Sequence, residues 1–283
     1  MDFSSLNVSK NDLILTALGT MLFVIHLLPE TVRDLLIFDH QSPSLISSFS
    51  THFVHVSNQH LLSNALIGFT ALFLIKNLFH KVGQENIFRK LTGFYLLILP
   101  WIITGLSFLI FNLADIDLQN SMGFSALALA FVGAIPSVGF YFFKHSKLEK
   151  ISITESIPFF HVGLAFILAS YIMIWLNSSV INFGIKFVLG LSISIVALLA
   201  YAAYRLMNLL ENKLDLSFRE FIDLFSIEEK LILGFSLMIF IFGALSVAPS
   251  SGIVSDGGLV NIISHMIGFT LGFYVTELYL TRN

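Results

Sequence analysis

Long apolar runs recur along the 283-residue chain, and each is followed by a shorter polar segment. A helix that crosses a bilayer needs about 20 predominantly apolar residues, with a range of about 17–25. The pattern therefore predicts an all-α fold, a polytopic membrane helix bundle with eight spans. The predicted spans are Asp12–Leu28, Leu61–Phe79, Thr92–Leu113, Met122–Phe143, Ile157–Leu176, Val180–Leu206, Leu231–Val247 and Gly258–Leu280.

Two loops between these spans are long. The first, Pro29–Gln59, precedes the second span and is rich in histidine and serine. The second, Met207–Lys230, is charged and amphipathic, which is typical of a helix that lies in the membrane interface. We expect no separate soluble domain, so residues 1–283 form a single membrane domain.

Lysine and arginine are concentrated in alternate loops. The loops after spans two, four and six carry nearly all of these residues, whereas the loops on the other side carry only Arg33. Positively charged loops remain on the cytoplasmic side of a membrane. The distribution therefore predicts that both termini are cytoplasmic, and that the protein is a multi-pass integral protein of the cell membrane.

Composition supports a membrane protein and excludes several classes of function. The chain is 56% hydrophobic and 12% charged, whereas soluble domains have about 25% charged residues. The net charge of −3 indicates no basic surface for nucleic acid. The absence of cysteine excludes disulfides, thiolate nucleophiles and thiolate metal sites. We expect no metal and no cofactor.

Polar residues at membrane depth are costly and suggest function. They occur at the start of span two (His55, His60 and Asn64), at the start of span four (Ser125) and in span eight (His265). These three spans run in the same direction, so their polar residues lie at a similar depth. Taken singly, a serine can bond a carbonyl one turn back and a histidine can be a packing residue.

Together these residues fit nucleophilic hydrolysis. A serine nucleophile such as Ser125 needs an adjacent base, and His265 is the candidate. The oxyanion needs positioned donors, which His60 and Asn64 offer from one helix face because they are four residues apart. Gly123 leaves room for a substrate backbone beside the first turn of the helix, where N–H groups are unpaired.

The spacing of these residues resembles that of the rhomboid family of intramembrane serine proteases. That family is recognised by H-x4-H-x3-N in one helix, G-x-S-x in a second and H-x2-G-x3-G in a third. The matching residues here are His55, His60 and Asn64, then Gly123 and Ser125, then His265, Gly268 and Gly272.

The resemblance implies a Ser125–His265 dyad without a third acidic member. It implies that His60, Asn64 and Gly123 face the substrate carbonyl and its oxyanion, and that His55, Gly268 and Gly272 have structural roles.

The resemblance also implies a six-helix core, about residues 12–143 and 231–280, with about two extra transmembrane helices within residues 150–247. Three departures from the family pattern stand at Ala126, at Ile46-Ser47 in place of a Trp-Arg pair, and at Leu129.

The implied substrates are transmembrane helices of other membrane proteins, met within the lipid bilayer and cut beside small residues. The closest alternative is a non-catalytic rhomboid-like protein that binds or chaperones transmembrane segments.

Three other classes stay open with less support. A metalloprotease could use His52, His55 and His60, although no H-E-x-x-H motif is present. A haem protein could use His26, His161 or His265. A transporter would need charged residues at mid-membrane, and only Lys186 lies well inside a predicted span.

Overall fold

The computed structural model describes residues 9–113, 120–146, 204, 217–246 and 258–282, with side chains of the last helix described from Ser264 onward. The described segments are largely helical. The predicted spans Ile157–Leu176 and Val180–Leu206 lie outside them, apart from Tyr204. The helices are α1 (Lys10–His26), α2 (Glu30–Asp34), α3 (Leu45–Ser50), α4 (Asn58–Lys81), α5 (Glu85–Leu97), α6 (Leu99–Leu113), α7 (Ser125–Ser146), α8 (Phe218–Asp223), α9 (Ile227–Ser246) and α10 (Gly258–Arg282).

Two of the described helices, α4 and α7, are long and apolar enough to cross a membrane. The pair α5 and α6 forms a third crossing if it is taken as one broken span, bent by 42°. The structure therefore agrees with a helical membrane protein.

The predicted span Thr92–Leu113 is interrupted, because its first residues belong to α5 and the rest to α6. The chain forms two helices that break at Ile98, two residues before Pro100. Proline has no N–H to donate to the carbonyl four residues earlier, and its ring collides with that carbonyl. Proline is tolerated in the first turn of a helix, where Pro100 lies in α6, but it interrupts a helix that continues past it. This accounts for the bend between α5 and α6.

Helix α7 lies at the centre of the described bundle. In its most apolar stretch 78% of the residues are buried, against 39% for α4. Helices α4, α9 and α10 pack around it. Gly68 of α4 lies against the ring of Phe124 and the side chain of Ala128 at the start of α7. A helix that is apolar on every face is expected in such a central position.

Helices α7 and α10 are in backbone contact. A Cβ atom at Gly268 would overlap the backbone of Ala126, and one at Gly272 would overlap that of Ala130. On the other helix, a Cβ atom at Gly133 would overlap the carbonyl of Phe269. Gly268 meets Ala126 and, four residues further along each helix, Gly272 meets Ala130. The two helices therefore run parallel here, as the predicted topology requires.

Tyr95 of α5 ties α10 to the bundle. Its hydroxyl donates to the carbonyl of Gly272 at 2.5 Å and lies 2.5 Å from the hydroxyl of Thr276. The Thr276 hydroxyl also bonds the same carbonyl at 2.7 Å. These bonds fix α10 against α5 one turn beyond the contact between Gly268 and Ala126.

The long segment between α1 and α4 is ordered by short elements. It contains α2, strand β1 (Phe38–Asp39), α3 and a 3₁₀ turn over Thr51–Phe53. Strand β1 pairs antiparallel with β2 (Asn120–Ser121), and Phe38 stands opposite Ser121. Through this pairing the segment holds the chain immediately before α7.

The predicted interfacial helix within Met207–Lys230 corresponds in part to α8 (Phe218–Asp223), since residues 207–216 lie outside the described segments. Phe221 and the following Phe225 are buried against Phe142 and Phe143 near the end of α7. The exposed residues beside them, Phe218 and Ile222, leave apolar surface on this short helix.

Candidate active site

Ser125 is the first residue of α7 and is 8% exposed. Sequence analysis predicts it about four residues inside the helix, and the structure corrects that position. Gly123 has a φ of +122°, a backbone conformation incompatible with a helix and favoured by glycine, so the helix starts only after Phe124. The amide of Ser125 therefore belongs to the first turn, whose N–H groups have no partner four residues back.

The ring of His60 lies beside Gly123. A Cβ atom built on Gly123 would stand 3.0 Å from Cε1 and 3.4 Å from Nε2 of His60, and 3.7 Å from Oγ of Ser125. The imidazole and the hydroxyl thus border the same small space. Glycine is favoured there by its positive φ, and a side chain would also press against the His60 ring.

Asn64 lies one turn after His60 on α4 and is 8% exposed. Its amide nitrogen Nδ2 is buried and has no hydrogen-bond partner among the described residues. The Nδ1 atom of His60 is in the same condition. Unpaired buried polar atoms are rare in folded proteins, and such atoms fit a site that receives a hydrogen-bonding group from outside the chain.

His55 holds the peptide that precedes Ser125. Its Nε2 accepts the N–H of Phe124 at 3.4 Å, and its carbonyl accepts a bond from the guanidinium of Arg33 at 3.1 Å. Its ring stands edge-on to that of His60, with centroids 5.3 Å apart. Burial and, to a smaller extent, the neighbouring His60 lower the pKa of His55 to about 4. The ring is therefore neutral at pH 7 and able to accept a bond.

His265 lies one turn before Gly268 on α10, and Ser125 directly precedes Ala126 on α7. Because Gly268 and Ala126 are in contact, the two candidate residues occupy neighbouring turns of the helix pair. The Nε2 atom of His265 is buried and has no hydrogen-bond partner among the described residues. The structure therefore brings the two helices together but does not show the bond between Nε2 and the Ser125 hydroxyl.

A pocket of about 20 Å³ adjoins Ser125. This volume is enough for a water molecule, which needs about 10–15 Å³ by the same measure. Six of its eleven lining residues carry a hydroxyl group: Thr51, Thr104, Ser107, Ser121, Ser125 and Ser264. The pocket is polar enough to give a water several partners.

His52 closes the pocket on one side. It is buried, with Nε2 placed 2.9 Å from the hydroxyl of Thr104 and 3.1 Å from the carbonyl of Pro100. Burial lowers its pKa to about 4. The neutral ring thus links the loop before α4 to the start of α6.

Sequence reasoning missed three residues that support this site. Thr51 bonds the segment before Ser125, Arg33 bonds His55, and Ser264 bonds Ser107 of α6 at 3.1 Å. For Arg33 there was a signal, because it is the one basic residue of the loops predicted to face outward. No comparable signal marks Thr51, since a threonine in a serine-rich loop is unremarkable in a sequence.

Comparison of the chain with protein-family models, with curated proteins and with solved structures finds no match.

Proposed function

We propose that the chain is an intramembrane serine protease of the rhomboid type, which hydrolyses peptide bonds in or near transmembrane helices of other membrane proteins. The single observation that carries the proposal is the backbone contact of Gly268 with Ala126. It brings the turn that begins with Ser125 against the turn that holds His265. Nothing in packing alone requires a serine and a histidine on these two turns.

In the proposed reaction the Ser125 oxygen attacks the scissile carbonyl carbon and its proton passes to Nε2 of His265. The C–N bond then breaks, and His265 returns the proton to the leaving amine. The missing bond between Oγ and Nε2 fits a free enzyme, because such bonds often tighten only when substrate is bound. Water next attacks the acyl ester, with His265 as base, and releases the acid and the free serine.

The oxyanion requires donors in place before the reaction. His60 borders the same space as the Ser125 hydroxyl, and one turn away Asn64 has a buried amide nitrogen with no partner in the described part of the chain. The first-turn N–H of Ser125 is a third donor. Gly123 supplies space in this scheme rather than a hydrogen bond, because its own N–H already donates to the carbonyl of Thr51 at 2.9 Å.

Hydrolysis within a membrane also requires water beside the nucleophile. The hydroxyl-lined pocket next to Ser125 has the size and polarity for it. A membrane substrate would have to leave its helical conformation before attack, since helical carbonyls are already bonded. Glycine near the cut is expected for this reason, because it is a weak helix former, and small residues in general are expected by the rhomboid resemblance.

The same proposal includes the finer architecture. It places a six-helix rhomboid-like core and two further spans in the cell membrane, with both termini in the cytoplasm and the site near the outer face. The basic loops on the opposite side support this orientation.

The direct test is cleavage of a model transmembrane substrate by purified protein in liposomes. We expect Ser125→Ala and His265→Ala to abolish cleavage. Ser137→Ala is the matched control, because Ser137 is also a buried serine of α7 but lies more than three turns further along it. Undiminished cleavage by Ser125→Ala would refute the protease assignment.

A non-catalytic protein that binds transmembrane segments is the second candidate. The observation in its favour is that Nε2 of His265 has no hydrogen-bond partner among the described residues, so the structure shows no bond from a base to the serine hydroxyl. Such a protein would retain bound substrate helices without cutting them. Recovery of intact substrate after prolonged incubation with the wild-type protein would favour this candidate.

A further inference from the structure

We infer that Thr51 is a positioning residue for Ser125, which sets the chain segment Asn120–Phe124 so that the hydroxyl meets its base and the substrate carbonyl. The inference rests on the proposed function and adds to it a residue that the rhomboid-like motifs do not contain. Thr51 does not touch the reacting atoms in this scheme. It acts through the three residues from Ser121 to Gly123.

The side chain of Thr51 makes two hydrogen bonds with different strands. Its hydroxyl donates to the carbonyl of Ser121 and accepts the N–H of Phe38 at 3.2 Å. Phe38 and Ser121 are the partners that face each other across β1 and β2. One hydroxyl therefore joins both strands of the pair from a third segment, and uses its donor and an acceptor lone pair to do so.

The backbone of Thr51 makes a third bond, to Gly123, which lies two residues after Ser121. Its carbonyl accepts the N–H of Gly123 at 2.9 Å. The N–H of Phe124 donates to His55, so the two peptide N–H groups immediately before Ser125 are both hydrogen-bonded. Thr51 is 2% exposed, so water does not replace these bonds while the segment is folded.

These bonds flank Gly123, the residue of this segment with an unusual backbone conformation. Gly123 has the positive φ that ends the loop and lets α7 start at Ser125. Its position also determines how the ring of His60 stands against the Ser125 hydroxyl. If the segment were free to shift, the serine would move relative to both α4 and α10. A displacement of about 1 Å can lower a reaction rate by about 100-fold.

The test compares Thr51→Val, which keeps the shape and removes the hydroxyl, with Thr51→Ser, which keeps the hydroxyl. Ser50→Ala is the matched control, because the neighbouring Ser50 hydroxyl bonds the carbonyl of Leu36 at 2.8 Å and no residue of the segment before α7. Two readouts are taken in the same detergent: the rate of acylation by a fluorophosphonate probe with kcat and KM on a model substrate, and hydrogen exchange of the peptide that covers residues 120–124.

We expect Thr51→Val to slow acylation and lower kcat by about 10- to 100-fold, with KM changed less than about twofold, and to speed exchange at residues 120–124. Thr51→Ser should restore both within about threefold, and Ser50→Ala should leave both unchanged. Wild-type rates and exchange in Thr51→Val would overturn the inference, as would equal losses in Thr51→Val and Thr51→Ser.

The exchange readout separates this inference from the proposed function. If the wild-type protein does not react with the probe at Ser125, the protease assignment fails. Exchange that rises at residues 120–124 only in Thr51→Val would still support the positioning of this segment by Thr51, and unchanged exchange would overturn it.

Discussion

The two ends of the helix bundle are held together by different kinds of contact. At the end that contains Thr51, His55 and Ser125, which we call the serine end, the contacts are hydrogen bonds, mostly between buried, neutral groups. At the other end, which we call the lysine end, ion pairs join neighbouring helices. These pairs are Lys76 with Asp12, Lys81 with Glu228 at 3.0 Å and Lys230 with Asp223 at 3.7 Å, and His80 lies 2.7 Å from Glu85.

The two kinds of contact differ in how much stability is lost when one residue of the contact is replaced. Ion pairs between partly exposed side chains contribute about 0–1 kcal/mol and tolerate substitution. A buried hydrogen-bonding group that loses its partner costs about 1–3 kcal/mol. The geometry of the serine end therefore depends on a few particular residues, and such dependence is expected where reacting groups must be placed precisely enough for catalysis.

The largest effect should come from the contact that joins α7 and α10 near the serine end. Gly268→Val would force side-chain atoms into the backbone of Ala126, so the helices would have to separate. We expect a loss of about 3 kcal/mol or more in the free energy of unfolding, at the upper end of the range for over-packing. Denaturation in detergent, followed by helix content, measures it.

Gly105→Val is the matched control for this change. Gly105 is also a helical glycine, in α6, and a Cβ atom there would meet nothing within 4 Å. We expect its effect to stay below about 1 kcal/mol. Equal losses in the two variants would show that the contact between Gly268 and Ala126 is not a tight one.

Acid should weaken the serine end more than the lysine end. His52 and His55 have pKa values of about 4 in the folded protein because they are buried, against about 6.5 when unfolded. Between these values the unfolded chain binds protons that the folded chain does not, so stability falls as the pH drops from about 6.5 towards 4 and is flat below that. We expect a loss of about 2 kcal/mol for each of the two histidines between pH 7 and pH 5.

The measurement is the unfolding free energy at each pH, repeated with His52→Gln. This substitution removes one of the two imidazoles, so the dependence on pH should become shallower. Stability that is constant from pH 7 to pH 5 in the wild-type protein would contradict the account of these two neutral histidines.

The smallest effect should come from an ion pair at the lysine end. Lys81→Met removes the partner of Glu228, whose side chain is 74% exposed. We expect a loss below about 1 kcal/mol that shrinks further when salt is raised, because solvent and ions screen an exposed pair. Unfolding in low and high salt tests this, and a loss comparable to that of Gly268→Val would remove the contrast between the two ends.

Much of the helical framework follows from the sequence. The predicted spans that begin near Asp12, Leu61 and Leu231 correspond to α1, α4 and α9, and the last span begins at Gly258 as predicted. Long apolar runs leave few alternatives, since backbone groups in lipid must be paired within a helix. The parallel course of α7 and α10 was also predicted, because the predicted topology gives the fourth and eighth spans the same direction.

The details of the site were less accessible to sequence reasoning. Pro100 breaks a predicted span, and the effect of one proline depends on whether neighbouring groups can satisfy the freed carbonyl. The ordered segment between α1 and α4 is held by long-range hydrogen bonds, such as those from Thr51 to Ser121 and Gly123. Hydrophobic periodicity carries no information about bonds between residues that lie 70 positions apart.

The most direct test of the central claim is to identify the residue that a serine-reactive fluorophosphonate modifies. We predict that mass spectrometry of the labelled wild-type protein finds the adduct on Ser125, and that labelling is lost in Ser125→Ala and strongly reduced in His265→Ala, while Ser137→Ala labels normally. An adduct on another residue, or labelling that persists in Ser125→Ala, would contradict the proposal that Ser125 and His265 form a hydrolytic pair.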